Sequence, residues 1–176
     1  MMTDTAAAPS RPPAFNDLEP ELATTRRVLE RVADEHWDWK PHEKSKSLGA
    51  LATHCAEIPF LASLVLSKDE FNAAGANRWP DGPPRNREAL LAAFDAAAAA
   101  ATGAIAQVPG NAWTSQWKLK MGDQVFLDLP RAAALRVLGI NHLVHHRAQL
   151  TVYLRLLDIP VPSVYGPSAD EMAPPK

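Results

Sequence analysis

The stretch PRAAALRVLGINHLVHHRAQLTVYLRLL, residues 130–157, decides the fold. Pro130 has no N–H to leave unpaired in a first helical turn, and its fixed φ suits that position, so it marks a helix start. The spacing predicts one helix to about Leu157, roughly 28 residues and about 42 Å at the standard rise. From Ala132 to Ile140 it is apolar nearly all round, the pattern of a central, buried helix. Such a helix needs helical neighbours, and the rest of the chain supplies them.

The segment from about Asp17 to His36 carries Leu18, Leu22, Val28, Leu29 and Val32 at helical spacing, with Pro20 in its first turn. A second helix opens at Ser47 as N-cap and runs to about Leu66, placing Leu51, His54, Ile58, Leu61 and Val65 on one face. Pro59 inside it leaves the Cys55 carbonyl without its usual donor and predicts a bend within a turn of His54. The Gly- and Pro-rich NAAGANRWPDGPPR reads as a long connection, and Asn86 as the cap of a third helix reaching Val108. Alternation in AWTSQWKLKMGDQVFLDLP around a Met-Gly-Asp-Gln turn predicts a short β-hairpin that must pack on a helix. The expected fold class is therefore all-α: a four-helix bundle with at least one crossover, plus that hairpin before the last helix. The bundle occupies residues 15–165. Residues 1–14 and 166–176, rich in Pro and small or polar residues, read as loose tails.

At 176 residues the chain fits one domain, and 47% hydrophobic with 22% charged residues is a globular composition. A net charge of −2 with scattered basic residues argues against nucleic acid as a partner. The single cysteine, Cys55, allows no intramolecular disulfide and needs no oxidising compartment. The start does not resemble a secretory signal, and the alanine-rich run from Ala96 is too weakly hydrophobic to span a bilayer, so a cytoplasmic protein without membrane contact is expected.

Three of the six histidines fall within five positions of the last helix. His142 and His146, at i and i+4, project from one face with Cβ atoms about 5–6 Å apart, close enough for two ring nitrogens to reach one ion. His145 at i+3 from His142 is the alternative partner; the i, i+4 pair diverges less on a straight helix. A third imidazole, His54, points into the bundle from the second helix. Facing helices are how bundles build metal sites, and three imidazoles with an open fourth position match a catalytic site better than a closed structural one. The bland alternative is a hydrogen-bonded core network, but the segment offers few polar partners apart from Asn141 and Gln149. Leu143 stands where the zinc-protease motif needs Glu, which excludes that peptidase type.

Glu57, one turn after His54, is a candidate to orient that imidazole or act as a base, set against a merely solvated carboxylate. Arg147 is a candidate to hold an anionic substrate group, set against a salt bridge to another helix. Cys55 and Tyr153 read as core, and Trp37 with Trp39 as a packing plug.

The segments WDWKPHEKSKSLGALATHCAEIP and INHLVHHRAQLTVYLRLLDIPVPSVYGPSADE, in this order and at this distance, resemble the DinB/YfiT-like family of metalloenzymes, and with the helix order the likeness spans most of residues 16–171. The resemblance implies an up-down-down-up bundle, often a homodimer, with a divalent ion on three histidines. Residue by residue these are His54 of the THCAEIP motif and His142 and His146 of the HxxxH motif. Relatives include thiol-dependent transferases and isomerases that use low-molecular-weight thiols, and many members have no established reaction. The expectation is a zinc or nickel enzyme that activates a thiol or water at the open position. Thiol S-transfer in stress or detoxification leads; a metal-dependent hydrolase and a non-catalytic metal-binding stress-response module are the alternatives. A small-molecule substrate, such as a low-molecular-weight thiol, is the expected partner. The alanine-rich third helix and apolar last helix add the expectation of a homodimer.

Overall fold

The computed structural model describes residues 15–172. The tail predicted at 1–14 and the last residues of the C-terminal one lie outside them. Four helical rods form the bundle: α1 (Leu18–Leu29), α2 (Leu48–Ser67), α3 (Arg87–Ile105), and a fourth built from α4 (Arg131–Ala134), a π-helical stretch (Leu135–Asn141) and α5 (His142–Leu156). A three-stranded sheet of β1 (Glu70–Asn72), β2 (Gln116–Met121) and β3 (Gln124–Pro130) accompanies them.

Cross-links between the rods fix their directions. Arg87 N–H donates to Asp34 Oδ1 at 2.6 Å and Arg26 pairs with Asp95 at 2.8 Å, so α1 and α3 run antiparallel. Arg131, 4% exposed, donates to the Val65 and Lys68 carbonyls at the end of α2, while Tyr153 on α5 reaches the Lys46 carbonyl before its start. The fourth rod therefore opposes α2. Asp17 pairs with Arg136 and Glu21 with Arg147, so that rod runs with α1. The order is up-down-down-up, and residues 68–86 form the crossover between the two parallel helices. The interior is one continuous apolar cluster to which all four rods contribute, among them Leu18, Leu51, Phe94 and Leu150.

Local chemistry explains the ends of α2 and α3. Ser47 Oγ accepts from Ala50 N–H and Asn86 Oδ1 from Ala89 N–H, each cap contributing about 1 kcal/mol. The Trp37 and Trp39 carbonyls take the N–H groups of Gly49 and Leu48, so the tryptophan pair also caps α2. Gly49 is required by contact: a Cβ there would lie 2.3 Å from the Trp37 indole, itself 8% exposed. In an open helix Gly→Ala gains about 1 kcal/mol, but displacing a packed indole costs about 1–3 kcal/mol or more. Gly49→Ala should therefore destabilise the protein in a denaturant melt; a stabilised variant would show that Trp37 is not seated there.

Several expectations are corrected. The first helix stops at Leu29 instead of about His36, and a short 3-10 turn (Asp34–His36) follows. Its early end frees the Glu30 carbonyl for Arg87 Nη1 and lets Asp34 serve the start of α3. The third helix ends at Ile105, short of Val108. The hairpin forms as expected, turning at Gly122 (φ 62°) with Trp117 fully buried, but β1 adds a parallel third strand that was not foreseen. The last rod is not a uniform α-helix. Pro59 lies inside α2, as expected, and the helix continues past it to Ser67. The expected C-terminal tail from 166 is held as far as Glu171: Asp170 pairs with Arg155 and accepts from Val161 N–H, and Glu171 Oε2 accepts from Ser163 N–H. Both α2 and α3 are apolar and long enough to cross a bilayer by composition, contrary to the sequence expectation, but 67% of the α2 window is buried in the bundle. In α3 that share is 28%, and Asp95 in its middle pairs with Arg26.

Candidate metal centre

His54 lies about a third of the way along α2, and its ring faces the start of α5 across the bundle rim. The π stretch ends at Asn141, so His142 N–H bonds back to the Val137 carbonyl five residues earlier and begins α5. One extra residue in that turn sets the rotation of everything after it, which places His142 and His146 toward α2. Gly139 within the stretch permits the approach, since a Cβ there would lie 3.2 Å from Ala62 Cβ on α2.

The three rings converge. Ring centroids are 5.0 Å apart for His54 and His142, 4.5 Å for His54 and His146, and 4.7 Å for His142 and His146. One ligand atom from each lies within 4.8 Å of the others. His54 Nε2 and His142 Nε2 stand 3.2 Å apart. Two nitrogens at about 2.0–2.1 Å from one tetrahedral ion would be about 3.3–3.4 Å apart, so this spacing already suits coordination.

Tautomers carry the fit further. Glu57 Oε2 lies 3.2 Å from His54 Nδ1, and its other oxygen accepts from Trp79 Nε1. Burial raises the Glu57 pKa, but the hydrogen bonds with His54 and Trp79 outweigh it and hold the carboxyl below its usual range. A carboxylate there keeps the proton on Nδ1 and leaves Nε2 as a lone pair. On α5, Gln149 Oε1 lies 2.8 Å from His146 Nδ1 while its Nε2 reaches His145 Nε2 at 3.1 Å, which fixes His146 in the same sense. His142 Nδ1 is buried without a formed hydrogen bond, although the Leu138 carbonyl raises the ring's proton affinity. With the His142 proton on Nδ1, toward that carbonyl, two Nε2 lone pairs face each other, an arrangement that a cation between them resolves.

Burial first, then the charges of His54 and His146, pushes the His142 pKa down to about 4, and burial lowers that of His146. Both rings are thus neutral, as ligands must be. Folded values below the unfolded value of 6.5 mean that the unfolded chain binds more protons in that window. The stability of metal-free protein should be full above pH 6.5 and fall as pH drops toward about 4. Denaturant melts across that range should show a smaller loss for His142→Gln; an equal loss would assign the dependence elsewhere.

Of the expected residues, His54, His142 and His146 come together and Glu57 stands behind His54. His145 is exposed, outside the triad and held by Gln149. Arg147 is corrected: 100° round the helix from His146, it is 1% exposed and pairs with Glu21 at 2.6 Å on α1, away from the histidines. Cys55 is buried and its thiol is pushed up to about 12 by burial, so it stays a thiol of the core. Sequence reasoning missed Trp79 and Arg78, which arrive on the crossover as it passes over α2. Two clefts share His54 and Glu57: one of about 250 Å³ lined also by Ser47 and Trp79, and one of about 670 Å³ lined also by Phe71 and Arg78.

The DinB family model matches residues 4–176. The chain belongs to the DinB family. A relative in Bacillus subtilis strain 168, the uncharacterised protein YrdA, is 25% identical over 153 residues, covering 87% of this chain and 86% of its own length. Among solved structures, a DinB-like protein from Bacillus cereus ATCC 10987 superposes with a TM-score of 0.65 at 20% identity, over 86% of this chain and 95% of the other. YjoA, a DinB-like protein of Bacillus subtilis, gives 0.66 at 16% identity, over 87% and 97%. At these identities the two structures speak for the DinB fold alone.

Proposed function

We propose that this DinB-family chain is a divalent-metal enzyme whose ion, zinc or nickel, sits on His54, His142 and His146, and that it transfers a low-molecular-weight thiol to an electrophile. The observation that carries the proposal is the convergence of three imidazoles where two clefts meet, with Glu57 and Gln149 behind two of them. A divalent ion supplies Lewis-acid activation there, lowering the pKa of a thiol or water at its open position. Glu57 holds the Nδ1 proton of His54, and with both oxygens engaged it serves orientation. Gln149 does the same for His146. In the transfer, the S–H proton leaves to solvent, a sulfur–carbon bond forms, and the bond to the electrophile's leaving group breaks and takes its electron pair. The thiol comes from a co-substrate, because the chain's one cysteine is buried and protonated. Such a reaction belongs in the reducing cytoplasm.

The test is elemental analysis of untagged protein followed by conjugation assays with common cellular thiols and a chromogenic electrophile. Metal near one ion per chain with no accelerated conjugation would transfer the proposal to metal-dependent hydrolysis, which uses the same open position for water. A non-catalytic module predicts that chelation unfolds the protein. The half-buried site at the rim of a complete apolar core favours a folded metal-free form instead. We further propose a homodimer through the exposed alanines of α3, including Ala92, Ala96 and Ala99, or the exposed Val152 and Leu156 of α5. Sedimentation showing only monomer at micromolar concentration would remove it.

A further inference from the structure

The larger cleft, about 670 Å³, is of the size that takes small molecules. It has His54 and His142 at one end and apolar walls from Leu61, Leu64, Phe71 and Leu119. Among its lining residues Arg78 is the only Arg or Lys. The Arg78 guanidinium carbon lies 4.4 Å from the ring centroid of Phe60 and 4.4 Å from that of Trp79, so two aromatic faces hold it in place. Rings engage the face of a guanidinium and leave its N–H edge unmet. Arg78 Nε is buried with no hydrogen-bond partner, and among the described residues no carboxylate forms an ion pair with this side chain. Glu57 is near enough to feel its charge, but its oxygens are engaged by His54 and Trp79.

A fixed, planar, partly desolvated guanidinium at an apolar cleft lacks an anion. A carboxylate matches its fork in a bidentate way. The neighbouring Glu57 charge weighs against dianions such as phosphate monoesters, which would need a second cation. We infer that the cleft binds a monocarboxylic acid with an apolar body, its carboxylate on Arg78 and its body along Leu61 and Leu64, beside His54 and His142. That this acid is the electrophilic substrate rests on the metal-enzyme reading; that it binds does not.

Calorimetric titration of the full chain with octanoate and with octanol, on metal-free and zinc-loaded samples, separates the two. Metal-free protein should bind octanoate at least about ten-fold tighter than octanol, the lower end of what a charge-assisted pair contributes. Arg78→Met should abolish that preference and leave octanol binding unchanged, and Arg78→Lys, which keeps charge without the fork, should fall between. Equal binding of acid and alcohol, a preference that survives Arg78→Met, or octanoate binding confined to zinc-loaded protein would each overturn the inference. If Arg78→Met fails to fold by circular dichroism, the wild-type comparison and Arg78→Lys still decide it. Zinc content measured on the same samples reports on the metal reading separately: octanoate preference in a protein that never takes up metal would uphold this inference and sink that one.

Discussion

On the proposed metal-enzyme reading, His142→Ala should purify folded and nearly free of metal, where the untagged wild-type protein should carry about one divalent ion per chain. The ring contributes the Nε2 that faces His54 Nε2 at 3.2 Å, and two imidazoles do not hold an ion well. Its affinity should drop by more than the roughly 10–100-fold that loss of an orienting neighbour costs. That smaller loss is the expectation for Glu57→Gln, which weakens the hold on His54 Nδ1 without removing a ligand, and for Gln149→Ala at His146. His145→Ala should leave the affinity unchanged, since its ring is exposed and its contact is with the amide of Gln149. Competition titration against a chromogenic chelator ranks the four variants. If His145→Ala loses as much as His142→Ala, the ligand set is wrong.

That ranking also marks where the sequence could be read and where it could not. The i, i+4 spacing of His142 and His146 and the inward face of His54 follow from helical periodicity, which is why the triad was legible without coordinates. The choice of His146 over His145 rested on the assumption of a straight helix. His142, His145 and His146 do lie in one regular α-helix (His142–Leu156), while the π stretch Leu135–Asn141 before it sets the phase with which that whole helix meets α2. The trace of that stretch in the sequence is Gly139, a residue that costs about 1 kcal/mol in a helix interior and so signals a close approach. Here the approach is to Ala62.

The crossover shows a different limit. NAAGANRWPDGPPR is recognisable as a connection, but nothing in its composition says that it returns along α2 over the histidines. That path follows from tertiary pairings: β1 with β2 at one end, and Asn86 capping α3 beside α1 at the other. Trp79 and Arg78 enter the site only because the chain is anchored at both ends of the passage. Arg147 failed for a simpler reason. Adjacency to His146 in sequence places it a quarter turn and more away in space, and charge at a buried position called for a partner helix before a substrate.

Arg147→Ala should be the most destabilising single change at a polar residue of this protein, with no effect on the metal. The guanidinium, 1% exposed, donates to the Glu21 carbonyl at 3.1 Å, to Thr25 Oγ1 at 3.3 Å and to the Tyr165 hydroxyl at 2.8 Å, and pairs with the Glu21 carboxylate. It therefore joins α1, α5 and the C-terminal segment at one buried point. Truncation leaves Glu21, 9% exposed, as a buried charge without its cation, a loss of about 3–5 kcal/mol. At about 2–4 °C per kcal/mol for a chain of this size, Tm should fall by roughly 6–20 °C. Tyr165→Phe removes only a hydroxyl that accepts from Arg147 and donates to Glu21 at 2.9 Å, so about 1 kcal/mol is expected. Replacing both charges, Glu21→Gln with Arg147→Met, should recover much of the loss, because the cost of Arg147→Ala lies in the stranded carboxylate more than in the missing attraction. Melts of the single and double variants, with metal content on the same samples, test the assignment. A mild loss of stability coupled to weaker metal or substrate binding would return Arg147 to the site from which its burial removes it.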